Sequence, residues 1–298
     1  MMAQPAVSIV VAVEHATQNI AAIIDKINPA IHKEIELIFC FTDADKGLIE
    51  GLEKTDNIVL IHNNLDCRIP HLWRDGIRAS QANLVALTTA HCIPSEDWVS
   101  RLLSIELPSN VAGIGGAIIN DNKASAMDWA IYFLRYINYS APKETMVAYD
   151  IAADNAIYNR ADIMQYETLL TNGFWEPSFH EVFIKSGKNL RIDPTLVVTH
   201  HNAYTAKQFY KQRFEHAKEF GLTRAKGFTF QKRLCYFFMS PVLPLIFLTK
   251  IIRTAKKNGQ SHQRIGHALP WLLYFLLAWG SGEALGYWEG LKLKINGK

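Results

Sequence analysis

The chain opens on an unbroken apolar, β-branched block, VSIVVAV at 7–13. That is the pattern of a parallel strand covered on both faces. Residues 19–27 then place Ile20, Ile23, Ile24 and Ile27 at helical spacing. Apolar runs at 35–41 (IELIFCF), 57–62 (NIVLIH) and 84–88 (LVALT) predict three more strands, with a helix over 72–81. Strands alternating with helices at this spacing predict an α/β domain built on a doubly wound parallel sheet.

From 111 to 191 the pattern loosens. A strand is expected over 112–119, where Gly113, Gly115 and Gly116 leave room for a ligand or another backbone. An aromatic helix is predicted over 128–139, a helix over 179–186 stopped by Gly187, and a closing strand over 190–200. Residues 205–220 are amphipathic, with Phe209, Tyr210, Phe214 and Phe220 among basic side chains. The tail changes character: 234–249 is 16 residues without a charge and 268–282 is 15. At a rise of about 1.5 Å per residue the longer run reaches only about 24 Å, short of the ~30 Å hydrocarbon core of a bilayer. Pro241 and Pro244 are expected to kink it. Lys250, Arg253, Lys256, Lys257 and Arg264 lie between the runs, which places that linker on the cytoplasmic side. Little other apolar surface remains to cover these helices. Re-entrant or interfacial helices on a membrane lipid surface are therefore expected, with the N-terminal domain facing the cytoplasm.

Composition agrees with this reading. Hydrophobic residues are 49% and charged residues 20% of the 298, so a sizeable core can be buried. A net charge of +3 does not point to nucleic acid; basic residues concentrate instead in the apolar last third. The four cysteines have no CxxC spacing and read as reduced core residues. The start, MMAQPAVSIVVAV, lacks the basic opening and small-residue cleavage site of a signal peptide.

Over roughly 7–202, an ordered set of segments resembles the GT-A fold of family 2 glycosyltransferases. The set runs VSIVVAVEH, DGIRASQANLVALTTAHCIPSEDWV, GIGGAIINDNKASAMDWAIYFLRY, AADNAIYNRADI, NGFWEPSFHEVFIKSGKNL and VVTHH. The resemblance implies a nucleotide-sugar-binding transferase domain over 1–204, an amphipathic linker over 205–232 and a membrane-associating helical tail over 233–298. It also implies inverting transfer to a lipid-linked or cell-surface glycan acceptor.

The family holds a divalent metal, Mg²⁺ or Mn²⁺, against the donor diphosphate with an Asp-X-Asp motif shortly before a proline. The same spacing back from Pro94 falls on Thr89, Ala90 and His91, so both carboxylates are replaced. His91 then has three readings: a ligand to a transition metal with His200 or His201, a direct contact to the diphosphate without metal, or a structural histidine. Direct contact is preferred, and His91 is expected to matter for the donor and not for the fold. The family's base position, counted back from Gly187, falls on Glu176, with Glu181 as rival and His180 on the same helix face. A carboxylate at the start of a helix is also favoured by the dipole alone. Glu14 and Asp43 are candidates for the nucleoside, Thr89 for the donor, and Asn155 and Arg160 for the acceptor side. Asp43 and Asp45 equally suit a turn before Gly47. A degenerate, non-enzymatic member that binds nucleotide or partner proteins is the alternative. A nucleotidyltransferase would need a Gly-rich phosphate loop after the first strand, which this chain lacks.

Overall fold

The computed structural model describes residues 4–28, 33–48, 52, 58–64, 67–140, 142 and 144–292. Asn57, the expected start of the third strand, lies outside them. The chain divides into two compact units, one of residues 1–122 and 139–203, the other of 123–138 and 204–298.

The first unit is built on one sheet. Its strands are β1 (Val7–Ala12), β2 (Ile35–Thr42), β3 (Ile58–Asn63), β4 (Leu84–Thr89), β5 (Cys92–Pro94), β6 (Val111–Asn120), β7 (Met146–Ala148), β8 (Asn155–Asn159) and β9 (Asn189–His200). Their order is β3-β2-β1-β4-β8-β6-β9-β5, with β7 also paired to β9. The first four strands pair in parallel, as their apolar runs predict. β8 then enters antiparallel between β4 and β6, while β6 and β9 return to parallel pairing. The sheet is therefore an α/β sheet that is mixed in its second half.

Helix α2 (Ile69–Ala79) packs on β1 and β2, whereas α1 (Ile20–Ile27) meets β5 and α3 (Trp98–Ser104) meets β9. The periodic residues Ile20, Ile23 and Ile27 of α1 are all buried. α2 lies so close to β1 that a Cβ at Gly76 would fall 2.2 Å from Val10. Two buried tryptophans tie helices to strands: Trp73 Nε1 donates to the Thr88 carbonyl at 2.8 Å, and Trp98 Nε1 to Asn155 Oδ1 at 2.8 Å. A Cβ on any of the β6 glycines would meet protein. A Cβ at Gly116 would lie 2.3 Å from both Asn155 Nδ2 and the Leu196 carbonyl, so the close approach is backbone and side chain.

The second unit is helical. It comprises α4 (Ala126–Tyr136), α8 (Ala206–Lys226), α9 (Phe230–Met239), α10 (Leu243–Lys257) and α11 (His262–Leu291). The remaining helices, α5 (Arg160–Met164), α6 (Glu167–Leu170) and α7 (Glu176–Lys185), belong to the first unit. Two expectations for the tail need revision. The second uncharged run lies inside a 30-residue helix, α11, and it does find cover. Phe209, Ala217 and Ala225 of α8 and Leu272, Phe275 and Leu276 of α11 are all buried, with the Phe209 and Phe275 rings 4.7 Å apart. The first run does not stop at its prolines. The backbone stays right-handed helical at Met239, Ser240, Val242 and Leu243, because Pro241 and Pro244 sit in the first turns of new helical segments, where a missing N–H is tolerated. Phe230–Lys257 is thus a continuous 28-residue helical stretch, and an 18-residue window within it reaches a mean hydropathy of 1.8. By length and composition it is long and apolar enough to cross a membrane.

Candidate active site

The carboxyl ends of β1 and β4 are locked together by backbone. Ala90 N–H donates to the Ala12 carbonyl, and Asn19 Nδ2 donates to the carbonyls of Ala90 and His201. His91, the expected donor contact, is fully buried here. Its Nε2 lies 2.9 Å from the Glu14 carbonyl oxygen, which can only accept, so this nitrogen carries the proton. The ring thereby braces the 12–15 loop, where His15 adopts a left-handed φ of 57°. His200 is buried as well, with ring centroids 6.3 Å apart and Nδ1 3.1 Å from Asn120 Oδ1. His201 Nδ1 faces Asp121 at 3.4 Å. Among the described residues no group of three or more His, Cys, Asp or Glu side chains is placed to hold a metal ion. At the Asp-X-Asp positions Thr89 and Ala90 carry no carboxylate and His91 Nε2 is turned to the Glu14 carbonyl, a donor set that does not suit Mg²⁺ or Mn²⁺.

The burial of His91 changes what its removal does. His91→Ala deletes a buried ring and strips the Glu14 carbonyl of its donor, a loss of about 1–3 kcal/mol. Thermal unfolding should show a melting temperature lower by several degrees. An unchanged melting temperature would show that the loop does not depend on this bond.

Nearer the middle of the sheet a second set of groups converges. Thr89 Oγ1 donates to Asp154 Oδ1 at 3.0 Å, and Thr88 Oγ1 to the Asp154 carbonyl at 2.9 Å. Asp154, which sequence reasoning did not single out, therefore puts a buried carboxylate beside the degenerate motif. Two residues carry the same loop to α7: the Ala153 N–H donates to Glu176 Oε1 at 2.5 Å. One turn along α7, His180 is buried with Nδ1 2.6 Å from Asp150 Oδ1 and Nε2 3.1 Å from the Tyr158 hydroxyl. Tyr139 donates to the other oxygen of Asp150.

Electrostatics link these groups. Burial first, and then the charges of Glu176, Asp150 and Asp154, raise the Tyr158 hydroxyl well above its ordinary value. Tyr139 is raised by burial and by the same three carboxylates. Burial pushes the Asp150 carboxyl up, but its hydrogen bonds from His180 and Tyr139 win and hold it below the usual carboxylate range. Both tyrosines therefore keep their protons and serve as donors.

The remaining candidates lie apart from this cluster or are consumed by the scaffold. Glu181 is exposed and pairs with Lys185 one turn on. Asn155 is buried, and its amide nitrogen donates to the carbonyls of Ala117 and Leu196. Arg160 donates to the carbonyls of Ile77 and Arg78 at the end of α2. Asp43 pairs with His62 on β3 at 2.6 Å, and the His62 ring packs on Phe41 at 5.5 Å between centroids. Asp45 is buried, which pushes its carboxyl up against the pull of His15. Asp150 and Asp154 escaped the sequence reading because only the antiparallel insertion of β8 brings their loop to α7, and Tyr139 joins them from a short helical turn ahead of β7.

The fold has a solved counterpart. A mannosyltransferase from Pyrobaculum calidifontis, in complex with GDP-Man and Mn²⁺, superposes with a TM-score of 0.53 at 14% identity, over 96% of this chain and 88% of its own. The chain has a glycosyltransferase fold. S. aureus TarS 1-349, in complex with UDP-GlcNAc, is a more distant match, with a TM-score of 0.46 at 10% identity over 71% of this chain and 65% of its own. No family model and no curated protein matches the chain by sequence.

Proposed function

We propose that the chain is a membrane-associated, family 2-type glycosyltransferase with a degenerate Asp-X-Asp motif. It would move a hexosyl group, with inversion, from a nucleotide sugar to a lipid-linked or cell-surface glycan acceptor. The observation that carries the reading is Glu176. It sits at the start of α7, with one oxygen fixed by the Ala153 N–H, in the loop that also bonds Thr89. In the reaction an acceptor hydroxyl oxygen attacks the anomeric carbon as the bond from that carbon to the diphosphate oxygen breaks. Glu176 accepts the hydroxyl proton, and the nucleoside diphosphate leaves with the bonding electrons. No step is assigned to a divalent metal.

Titration calorimetry with UDP-, GDP- and dTDP-sugars, with and without Mn²⁺, tests the donor class. Binding of one nucleotide sugar followed by transfer is expected. A chain that binds one and transfers none would instead be a binding module. That second reading draws on Thr89 and the buried His91 at the positions of the missing carboxylates.

Membrane attachment is part of the same proposal. Phe238, Val242, Leu245 and Ile246 expose apolar side chains along the 230–257 stretch. Lys250, Arg253, Lys256 and Lys257 follow at its basic end, suited to anionic headgroups. The full chain should float with vesicles containing anionic lipid, and Leu245→Glu with Ile246→Glu should lower the bound fraction severalfold. Absence of flotation would refute attachment. Cleavage between α10 and α11, at 258–261, only from the non-cytoplasmic side of oriented vesicles would refute the orientation.

A further inference from the structure

We propose that Asp150 binds sugar hydroxyl groups and that His180 is the residue that positions it. The proposal rests on the glycosyl-transfer reading and adds a recognition site to it. Asp150 sits on the loop between β7 and β8 with its side chain 51% exposed, whereas the His180 side chain that holds it is 3% exposed. A solvated carboxylate ordinarily needs no partner. This one has both oxygens fixed from the protein side, Oδ1 by His180 Nδ1–H and Oδ2 by the Tyr139 hydroxyl. His180 is in turn fixed from behind by the Tyr158 hydroxyl at Nε2, and its ring stacks on that of Tyr158 at 6.1 Å between centroids. The chain of bonds thus runs from the core outward and ends on an open carboxylate.

Such a group is an acceptor with a lone pair to spare. Each carboxylate oxygen offers two acceptor sites, and His180, Tyr139 and the Ile151 N–H use three of the four. What remains, on a side chain half open to solvent, suits an O–H donor such as a sugar ring carries. Fixing the carboxylate beforehand lowers the ordering cost of binding. Phosphate is the wrong partner, because Asp150, Asp154 and Glu176 together make this region negative. A hydroxyl-bearing ring carries no charge to repel and donates to what the site offers. The hydroxyls belong either to the donor sugar or to the acceptor, and the two sources give separable results.

The test uses the full chain, comparing Asp150→Asn, His180→Ala and His180→Asn with wild type. Asparagine at 180 can present its amide N–H near the place of Nδ1–H, and alanine cannot. Binding of a nucleotide sugar and of the matching nucleoside diphosphate is measured by calorimetry, together with acceptor KM and kcat. Charge-assisted hydrogen bonds are the strong class, so Asp150→Asn should weaken its ligand by roughly 10- to 100-fold. If the hydroxyls are the donor's, nucleotide-sugar Kd rises while nucleoside diphosphate Kd stays put. If they are the acceptor's, both Kd values stay put and acceptor KM rises. His180→Ala should follow Asp150→Asn, and His180→Asn should recover most of the loss. Unchanged nucleotide-sugar Kd and acceptor KM in Asp150→Asn would overturn the proposal and leave the transfer reading intact. Equal weakening of sugar and sugar-free nucleotide, or His180→Asn no better than His180→Ala, would overturn it too. A wild type that binds neither nucleotide sugar nor saccharide would remove both readings together.

Discussion

Glu176→Gln is expected to lower turnover by roughly 10²–10⁴-fold, the usual range for loss of a general base, with donor affinity nearly unchanged. The substitution is well matched to the site. A glutamine oxygen still accepts from the Ala153 N–H, so the 150–154 loop keeps its anchor. What disappears is the capacity to take a proton as the acceptor oxygen attacks. A group that acts only on that proton contributes to the transition state and not to donor binding, so the loss falls on kcat and kcat/KM alike. Glu181→Gln is the natural control. Its carboxylate is exposed and holds only Lys185 at the next turn, a surface pair worth under about 1 kcal/mol. Steady-state transfer assays on the two variants, with calorimetric donor binding, separate the cases. Full transfer activity in Glu176→Gln would remove the residue from the reaction.

Much of the framework is legible in the sequence, because long apolar β-branched runs have few alternatives to a buried parallel strand. β1, β2 and β4 follow from that argument, and Gly187 marks the end of α7 with a φ of 85°. The second half of the sheet resists it. β8 reads NAIYN, five residues with asparagine at both ends, and its partner choice is set by tertiary packing. β5 is three residues ending in proline. The candidate site divides along the same line. Glu176 and His180 sit on a helix that Gly187 ends, and it is the family resemblance, counted back from that glycine, that points to Glu176, with His180 one turn on. Asp150 and Asp154 reach them only through an antiparallel insertion that no periodicity announces. His91 shows a further limit: position along a strand end is readable, but whether the ring points out or in depends on the loop that closes over it.

The tail carries its own sequence signal, one that apolar run length hides. Gly282, Gly286 and Gly290 recur at spacing four along α11, and a Cβ on each would run into α8, at Phe214, Lys218 and Ala225 in turn. A Cβ at Gly282 would fall 2.1 Å from the Phe214 carbonyl oxygen, and one at Gly286 would fall 2.2 Å from that of Lys218. These are backbone atoms, which cannot rotate aside, so one methyl group must push the helices apart. Small residues that let backbones meet serve this purpose in water and in lipid alike. Gly286→Ala is therefore expected to destabilise the second unit by about 3 kcal/mol, the upper end for overpacking a close contact. Gly266→Ala, on the same helix, should do the opposite. A Cβ there meets nothing within 4 Å, and alanine in an open helical position is favoured over glycine by about 1 kcal/mol. Thermal unfolding of the two variants compares the same chemical change at two places on one helix. A lower melting temperature for Gly286→Ala and a higher one for Gly266→Ala would assign the cost to the seam. A Gly286→Ala chain as stable as wild type would mean that α8 and α11 do not meet there.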